Sequence, residues 1–88
     1  MPYIHPELRP KLDYVVHQLE HPQGLQPGEL NYLITKIVLA WLGPPTTRNY
    51  ARLSAALGVL TDVHDELYRR IVADYEDRKW AENGDVYA

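Results

Sequence analysis

The apolar residues between Pro45 and Gly84 recur at a spacing that constrains the fold more than any other feature of the chain. Steps of four, three, four, three and four residues separate the members of this seam, which are Leu53, Leu57, Leu60, His64, Leu67 and Ile71. Such alternation keeps one face of an α-helix apolar, as in a coiled coil. Thr46 or Thr47 suits the N-cap, and Asn83 with Gly84 suits the C-terminal end. We therefore expect one long helix here.

The length of this third helix leaves two alternatives open for its packing. A helix over residues 48–82 would be about 50 Å long, whereas a globule of this size is about 30 Å across. Gly58 costs the helix about 1 kcal/mol relative to Ala, so the helix either kinks or breaks there, or its overhang packs on another copy. We favour self-association into a homo-oligomer. The expected interface residues are Leu57, Leu60, His64, Leu67, Ile71, Trp80 and Tyr87.

Two shorter helices are predicted before the long one, and Pro and Gly residues separate them. Apolar residues at helical spacing place helix one at Pro10–Glu20 and helix two at Gly28–Leu42. Helix two is apolar almost all round, which predicts burial on most of its sides, and Gly43 is expected to end it. No strand pattern competes. The fold class is thus all-α, a small bundle of three helices forming a single domain over residues 1–88, with an extended arm at 1–9 and a tail at 84–88.

Composition excludes several classes of protein. The chain has 88 residues, no cysteine and a net charge of -3. The absence of cysteine excludes disulfide scaffolds and thiolate metal sites. The net negative charge argues against binding of duplex nucleic acid, which requires a basic surface. We see neither a run of about twenty apolar residues nor a basic and then apolar leader. We therefore expect a soluble intracellular protein that does not bind membranes.

Catalytic and metal-binding patterns find little support, so we expect no catalytic residue, no metal and no cofactor. Ser54 is the only serine and lies inside a helix. His17 and His21 have a spacing that two metal ligands can use, but no third ligand follows. His64-Asp65 matches metal-dependent phosphohydrolases in two letters only. We interpret His64 as a hydrogen-bonded core or interface histidine, which would make association pH-dependent if copies bury it.

Tyrosine and cationic residues are concentrated near the carboxyl end. The chain has seven Tyr and no Phe, and Tyr is favoured where one end of the ring is dry and the other meets water or a partner. A helical face with these groups would hold an anionic, ring-bearing ligand by charge-assisted bonds and stacking. The predicted ligand-binding residues are Arg69, Arg70, Tyr68, Tyr75 and Lys79, with Asn31 and Tyr32 orienting the ligand from helix two.

The same charges have a simpler interpretation, which stays open. Oppositely charged residues four apart stabilise an exposed helix by a few tenths of a kcal/mol per pair, and two such series occur: Glu66, Arg70, Asp74 and Arg78, and Asp65 with Arg69. The tail also has two interpretations. Val86 and Tyr87 either form a disordered tip or dock onto their own domain or another copy.

Four segments resemble a known family. These are GELNYLIT starting at Gly28, YRR starting at Tyr68, YED starting at Tyr75 and followed by Lys79, and ENGDVY starting at Glu82. Together they are similar to a family of short uncharacterised proteins encoded by bacteria and their phages, and the ENGDVY ending is the most specific part. The family's pattern has Pro where Asp74 stands. The resemblance implies a complete small protein in the cytoplasm of a bacterial host, with no activity to carry over.

The leading functional hypothesis is a non-catalytic, self-associating binding protein. In a phage setting it would sequester a nucleotide-like signalling molecule and so counter a host defence. One alternative is an inhibitor or adaptor that acts on a host protein through the same Tyr, Trp and Arg residues, which are the types that dominate binding energy. Another is a structural or assembly protein whose long helix serves only oligomerisation.

Overall fold

The chain is all-α in the computed structural model, which describes residues 2–20 and 24–87. Its α-helices are α1 (Arg9–Gln18), α2 (Pro27–Leu42), α3 (Tyr50–Leu67) and α4 (Ala73–Asn83), with a π-helical segment at Tyr68–Val72 and 3₁₀ turns at Pro6–Leu8 and Pro45–Thr47. No strand occurs in these two described stretches. The predicted fold class is confirmed: α3, the π segment and α4 follow one another over 34 residues as the long third helix.

The first two helices begin at prolines or directly beside them. Pro10 is the second residue of α1, and Pro27 is the first residue of α2, where a missing backbone N–H costs nothing. The start of α2 is also capped, because the backbone N–H of Gln26 donates to Oε1 of Glu29 at 2.9 Å. Both starts therefore lie one residue before the predicted ones, and α1 ends at Gln18, two residues before the predicted Glu20.

Gly43 ends α2, as predicted, and the following turn is built around it. Its φ of 74° lies in the left-handed region, and its N–H donates to the carbonyl of Leu39 at 3.1 Å. The hydroxyl of Thr47 donates to the carbonyls of Leu42 and Pro44 at 3.2 and 2.9 Å. Backbone carbonyls that would lack partners at a helix end are thereby satisfied.

The predicted N-cap of the third helix is wrong. Thr46 and Thr47 lie in the 3₁₀ turn, and the Thr47 hydroxyl is already engaged at the end of α2. Asn49 takes the N-cap role instead, because its Oδ1 accepts the backbone N–H of Arg52 at 2.9 Å. The guanidinium of Arg52 also donates to the carbonyl of Trp41 and stacks on the Trp41 ring, 4.2 Å from its centroid. This clamp ties the end of α2 to the start of α3.

The helical backbone does not break at Gly58, because α3 continues through it. The irregularity lies ten residues further on, where the backbone widens into the π segment. The chain divides into two compact units, residues 1–56 and 57–88. The first unit contains α1, α2, the turn after Gly43 and the start of α3, and the second contains the rest of α3, the π segment, α4 and the tail.

Burial is sparse in the described residues. Leu42 and Ala56, at 7% and 8% exposure, are the only hydrophobic residues there that count as buried. The predicted burial of α2 on most sides is wrong for a single chain, since its apolar side chains Leu30, Ile34, Ile37, Leu39 and Trp41 are exposed. The reason is that no described element covers them fully. Within residues 2–20 and 24–87, no helix combines the length and apolar character that crossing a bilayer requires.

Candidate functional site

The π segment sets which side chains face each other in the second unit. The backbone N–H of Ala73 donates to the carbonyl of Tyr68, five residues back, so the turn holds one residue more than an α-turn. In an unbroken α-helix, residues eight apart point about 80° away from each other. The wider turn brings them into line, and the Tyr68 hydroxyl donates to Oε2 of Glu76 at 2.9 Å.

This hydrogen bond changes the acidity of Tyr68. Its pKa is raised above 10.0, first because the hydroxyl donates to the Glu76 carboxylate, and then through the negative charge of that carboxylate. Partial burial and the charges of Asp77 and Tyr87 act in the same direction. A tyrosine hydroxyl that donates a hydrogen bond to a carboxylate is favoured in its neutral form. Tyr68 thus holds the Glu76 side chain in place and keeps its own proton.

Of the cationic residues of the predicted ligand face, Arg69 and Lys79 make ion pairs with nearby carboxylates, and Arg70 lies in the π segment. Arg69 Nη2 lies 2.9 Å from Oε2 of Glu66, and Lys79 Nζ lies 3.1 Å from Oε2 of Glu82. The Lys79 ammonium also lies 5.6 Å from the centroid of the Tyr75 ring, within cation–π range. Among the oppositely charged residues spaced four apart, Nη2 of Arg78 lies 3.3 Å from Oδ2 of Asp74.

The tail and α4 border an open groove, which we call the C-terminal groove. Its volume is about 610 Å³, and its lining residues are Tyr75, Glu76, Asp77, Lys79, Trp80, Asn83, Gly84, Asp85, Val86 and Tyr87. Gly84 ends α4 with a φ of 88° and an N–H that donates to the carbonyl of Trp80, as predicted for this position. Asp85 Oδ1 then accepts the backbone N–H of Tyr87 at 2.9 Å. Tyr87 lies at the groove but is 97% exposed.

The predicted interface seam is exposed in the single chain. Leu57 and Ile71 are 68% and 61% exposed, and Leu60, Leu67 and Trp80 are also exposed. The His64 side chain is 79% exposed, with Nδ1 3.1 Å from Oδ1 of Asp65. His64 is therefore not a core histidine of this unit, and its role between copies stays a prediction.

Asn31 and Tyr32 lie in the first unit, whereas the other predicted ligand-binding residues lie in the second unit. The Thr35 hydroxyl donates to Oδ1 of Asn31 at 3.4 Å, and the Lys36 ammonium lies 5.9 Å from the Tyr32 ring centroid. Both residues line an open concavity with Pro27, Gly28 and Thr35. Their shared role with Arg69 and Tyr75 stays a prediction.

The acidic residues of the C-terminal groove were not predicted as site residues from the sequence. Glu76, Asp77 and Asp85 belong to segments that the family resemblance highlighted, but helical spacing assigned them no role. Their common location depends on the path of the tail after Gly84, which follows no helical period. The available signal was the dense run of acidic and aromatic residues after Asp74.

The histidine pair considered for a metal lies only partly within the described residues. His17 Nδ1 is 3.3 Å from Oε2 of Glu20, and His21 lies outside the described residues. In the part of the chain that the structure describes, no group of three or more His, Asp or Glu side chains could hold a metal ion.

The helices and the groove define the chain as a small all-α protein with largely exposed apolar faces. It belongs to a protein family described as a domain of unknown function (DUF6899), whose pattern it matches over residues 1–86. The expected membership of an uncharacterised family is thereby confirmed. No curated protein and no solved structure matches the chain.

Proposed function

We propose that this chain is a non-catalytic binding protein that works as a homo-oligomer. The observation that supports this best is the exposure of apolar side chains in both units, because Leu42 and Ala56 alone among the described hydrophobic residues are buried. Monomeric proteins rarely expose contiguous apolar patches larger than a few hundred Å². Covering these faces with further copies would supply the missing hydrophobic burial.

The predicted seam is the proposed contact between copies. Leu57, Leu60 and Leu67 are exposed along α3 at the spacing that packs helices side by side. Ile71, also exposed, continues the series in the π segment. His64 lies within the same seam and would be covered with it. Trp80 and Tyr87, the other predicted interface residues, lie on α4 and in the tail beyond the seam, so a contact through the seam alone leaves them exposed.

The test is the native mass of the full chain, measured by light scattering on a sizing column. Ile71→Glu places a charge in the seam, and we expect it to lower the mass to that of a single chain. Val59→Glu is the matched control, because Val59 is also exposed, at 56%, but lies off the seam. A wild-type protein that elutes as a single chain would refute the proposal.

A second candidate function is the capture of a nucleotide-like anion. It is favoured by the Lys79 ammonium over the Tyr75 ring, 5.6 Å from its centroid, since an aromatic ring and a cation side by side can stack a base and bind a phosphate. An anion would displace Glu82 from Lys79 or Glu66 from Arg69. Exposed ion pairs contribute about 0–1 kcal/mol, so displacing them would cost little.

This candidate places the protein in the cytoplasm of a phage-infected bacterium, where it would sequester a signalling nucleotide and counter host defence. Cyclic dinucleotides and ADP-ribose derivatives are the probes, and the readout is the thermal midpoint of the purified protein. We expect stabilisation by one of them, and loss of that stabilisation in Arg69→Glu/Arg70→Glu while the native mass is unchanged. Loss of the oligomer in that variant would favour an assembly role, and no shift with any probe would rule out nucleotide capture.

A further inference from the structure

The C-terminal groove combines aromatic rings with carboxylates. Tyr75, Trp80 and Tyr87 line it together with Glu76, Asp77 and Asp85. Lys79 is the only cationic residue among the described lining residues, and it is bonded to Glu82 at 3.1 Å. A groove with this lining attracts cations, because ring faces and carboxylates both carry negative potential.

Two of the three carboxylates are held in place before any ligand arrives. The Tyr68 hydroxyl donates to Oε2 of Glu76 at 2.9 Å, and the Tyr87 backbone N–H donates to Oδ1 of Asp85 at 2.9 Å. Each of these contacts uses one carboxylate oxygen and leaves the other oxygen to a ligand. Positioning the groups in advance lowers the entropy lost on binding.

We propose that the C-terminal groove binds an arginine side chain presented by a peptide of another protein. A planar guanidinium stacks on aromatic faces and bonds carboxylates through its fork of N–H groups, which an ammonium cannot do. The chain already contains this chemistry, since the Arg52 guanidinium stacks 4.2 Å from the Trp41 ring centroid. A volume of about 610 Å³ is ample for one such side chain.

Charge favours an arginine from a different protein over one from another copy. Residues 57–88 contain eight Asp and Glu against four Arg and Lys, so the second unit attracts a basic peptide. The arginines of the first unit are already engaged in their own unit: Arg9 donates to the carbonyl of Ile4, Arg48 to that of Gly43, and Arg52 to that of Trp41. A copy would also bring its own acidic second unit toward the groove, which a basic peptide would not.

The experiment uses the full chain and two small probes that differ only in charge. N-acetyl-arginine amide carries the guanidinium, and N-acetyl-citrulline amide is its neutral isostere. Binding is followed through the indole N–H resonance of Trp80, which Trp41→Phe identifies because the chain has two Trp. We expect a saturable shift with the arginine probe and an affinity at least about tenfold above that of the citrulline probe, within the range of cation–π and charge-assisted contacts.

Asp77→Asn/Asp85→Asn removes two charges but keeps an oxygen at position 85 that accepts the Tyr87 N–H. We expect this double variant to bind the arginine probe about tenfold more weakly than wild type. Asp62→Asn, which removes a charge outside the groove, should leave the affinity for the arginine probe unchanged. Equal affinity for the two probes, the absence of a saturable shift, or a Trp80 shift produced by AMP and not by the arginine probe would each overturn the proposal. The native mass is measured in parallel, so failure here is distinguishable from failure of the proposed self-association.

Discussion

At the scale of single residues, two glycines have different structural roles. Gly43 has a φ of 74°, and a Cβ built on it would lie 2.9 Å from Oγ1 of Thr47. That hydroxyl is held by bonds to the carbonyls of Leu42 and Pro44, so it has little freedom to move. Gly58 lies inside α3, and a Cβ there would meet nothing within 4 Å.

Alanine substitutions at these two positions should therefore have opposite effects on stability. Gly43→Ala forces a left-handed conformation on a residue with a side chain and crowds Thr47, so we expect a loss of about 1–2 kcal/mol in the free energy of unfolding. Gly58→Ala removes backbone entropy from the unfolded chain and raises helix propensity, so we expect a gain of about 0.5–1 kcal/mol. Urea unfolding followed by circular dichroism measures both. Destabilisation by Gly58→Ala would contradict the open helical environment described for that position.

At the scale of elements, the helices could be predicted because their signals are local. Apolar spacing and the glycines at the helix ends identified α1, α2 and the long third helix to within a few residues, and Gly43 and Gly84 stop their helices as expected. The N-cap was misplaced because Thr47 and Asn49 both have capping side chains, and only the turn after Gly43 decides between them.

The π segment could not be predicted, since no residue type marks it, and it changes which residues share a face. A projection at 3.6 residues per turn places Tyr68 in line with Tyr75, seven residues on. The extra residue of the π turn aligns it with Glu76 instead. The held position of the Glu76 carboxylate was missed for this reason. The acidic side of the C-terminal groove was missed because it depends on the path of the tail.

The hydrogen bond from Tyr68 to Glu76 depends on the π segment, so a pH titration of Tyr68 tests whether the segment forms. The pKa of Tyr68 is raised in the folded chain above its unfolded value of about 10. Its contribution to stability is therefore complete below pH of about 10 and is lost as the pH rises through the higher folded pKa. We expect Tyr68→Phe to be less stable than wild type at neutral pH, and the two proteins to converge in strong alkali.

Absorbance at 295 nm, which reports tyrosinate, gives the direct measurement. Tyr68→Phe should remove a component that ionises above pH of about 10, whereas Tyr75→Phe, which also removes one tyrosine, should leave that component in place. Glu76→Gln should lower the pKa of Tyr68 by removing the carboxylate charge. An unchanged alkaline component in both Tyr68→Phe and Glu76→Gln would show that this bond does not form in solution.

At the scale of the whole molecule, exposed apolar surface links folding to association. The hydrophobic effect dominates folding, and a chain of 88 residues is marginal even when it is compact. Here the side chains that would form a core, from Ile34 and Ile37 in the first unit to Leu67 and Ile71 in the second, remain exposed. If copies cover these side chains, the free energy of folding must include the free energy of assembly, so stability depends on protein concentration.

This dependence is the whole-molecule prediction. For a dimer, a hundredfold dilution removes about 2.7 kcal/mol from the assembled state, and for about 180 residues this corresponds to a fall in Tm of about 5–10 °C. Ile71→Glu should have a lower Tm than wild type and no dependence on concentration, whereas Val59→Glu should behave as wild type. Differential scanning calorimetry at high concentration and circular dichroism at low concentration cover the required range. A wild-type Tm that stays constant across that range would mean that a single chain folds without its neighbours, and its exposed apolar faces would then have to be stable in water.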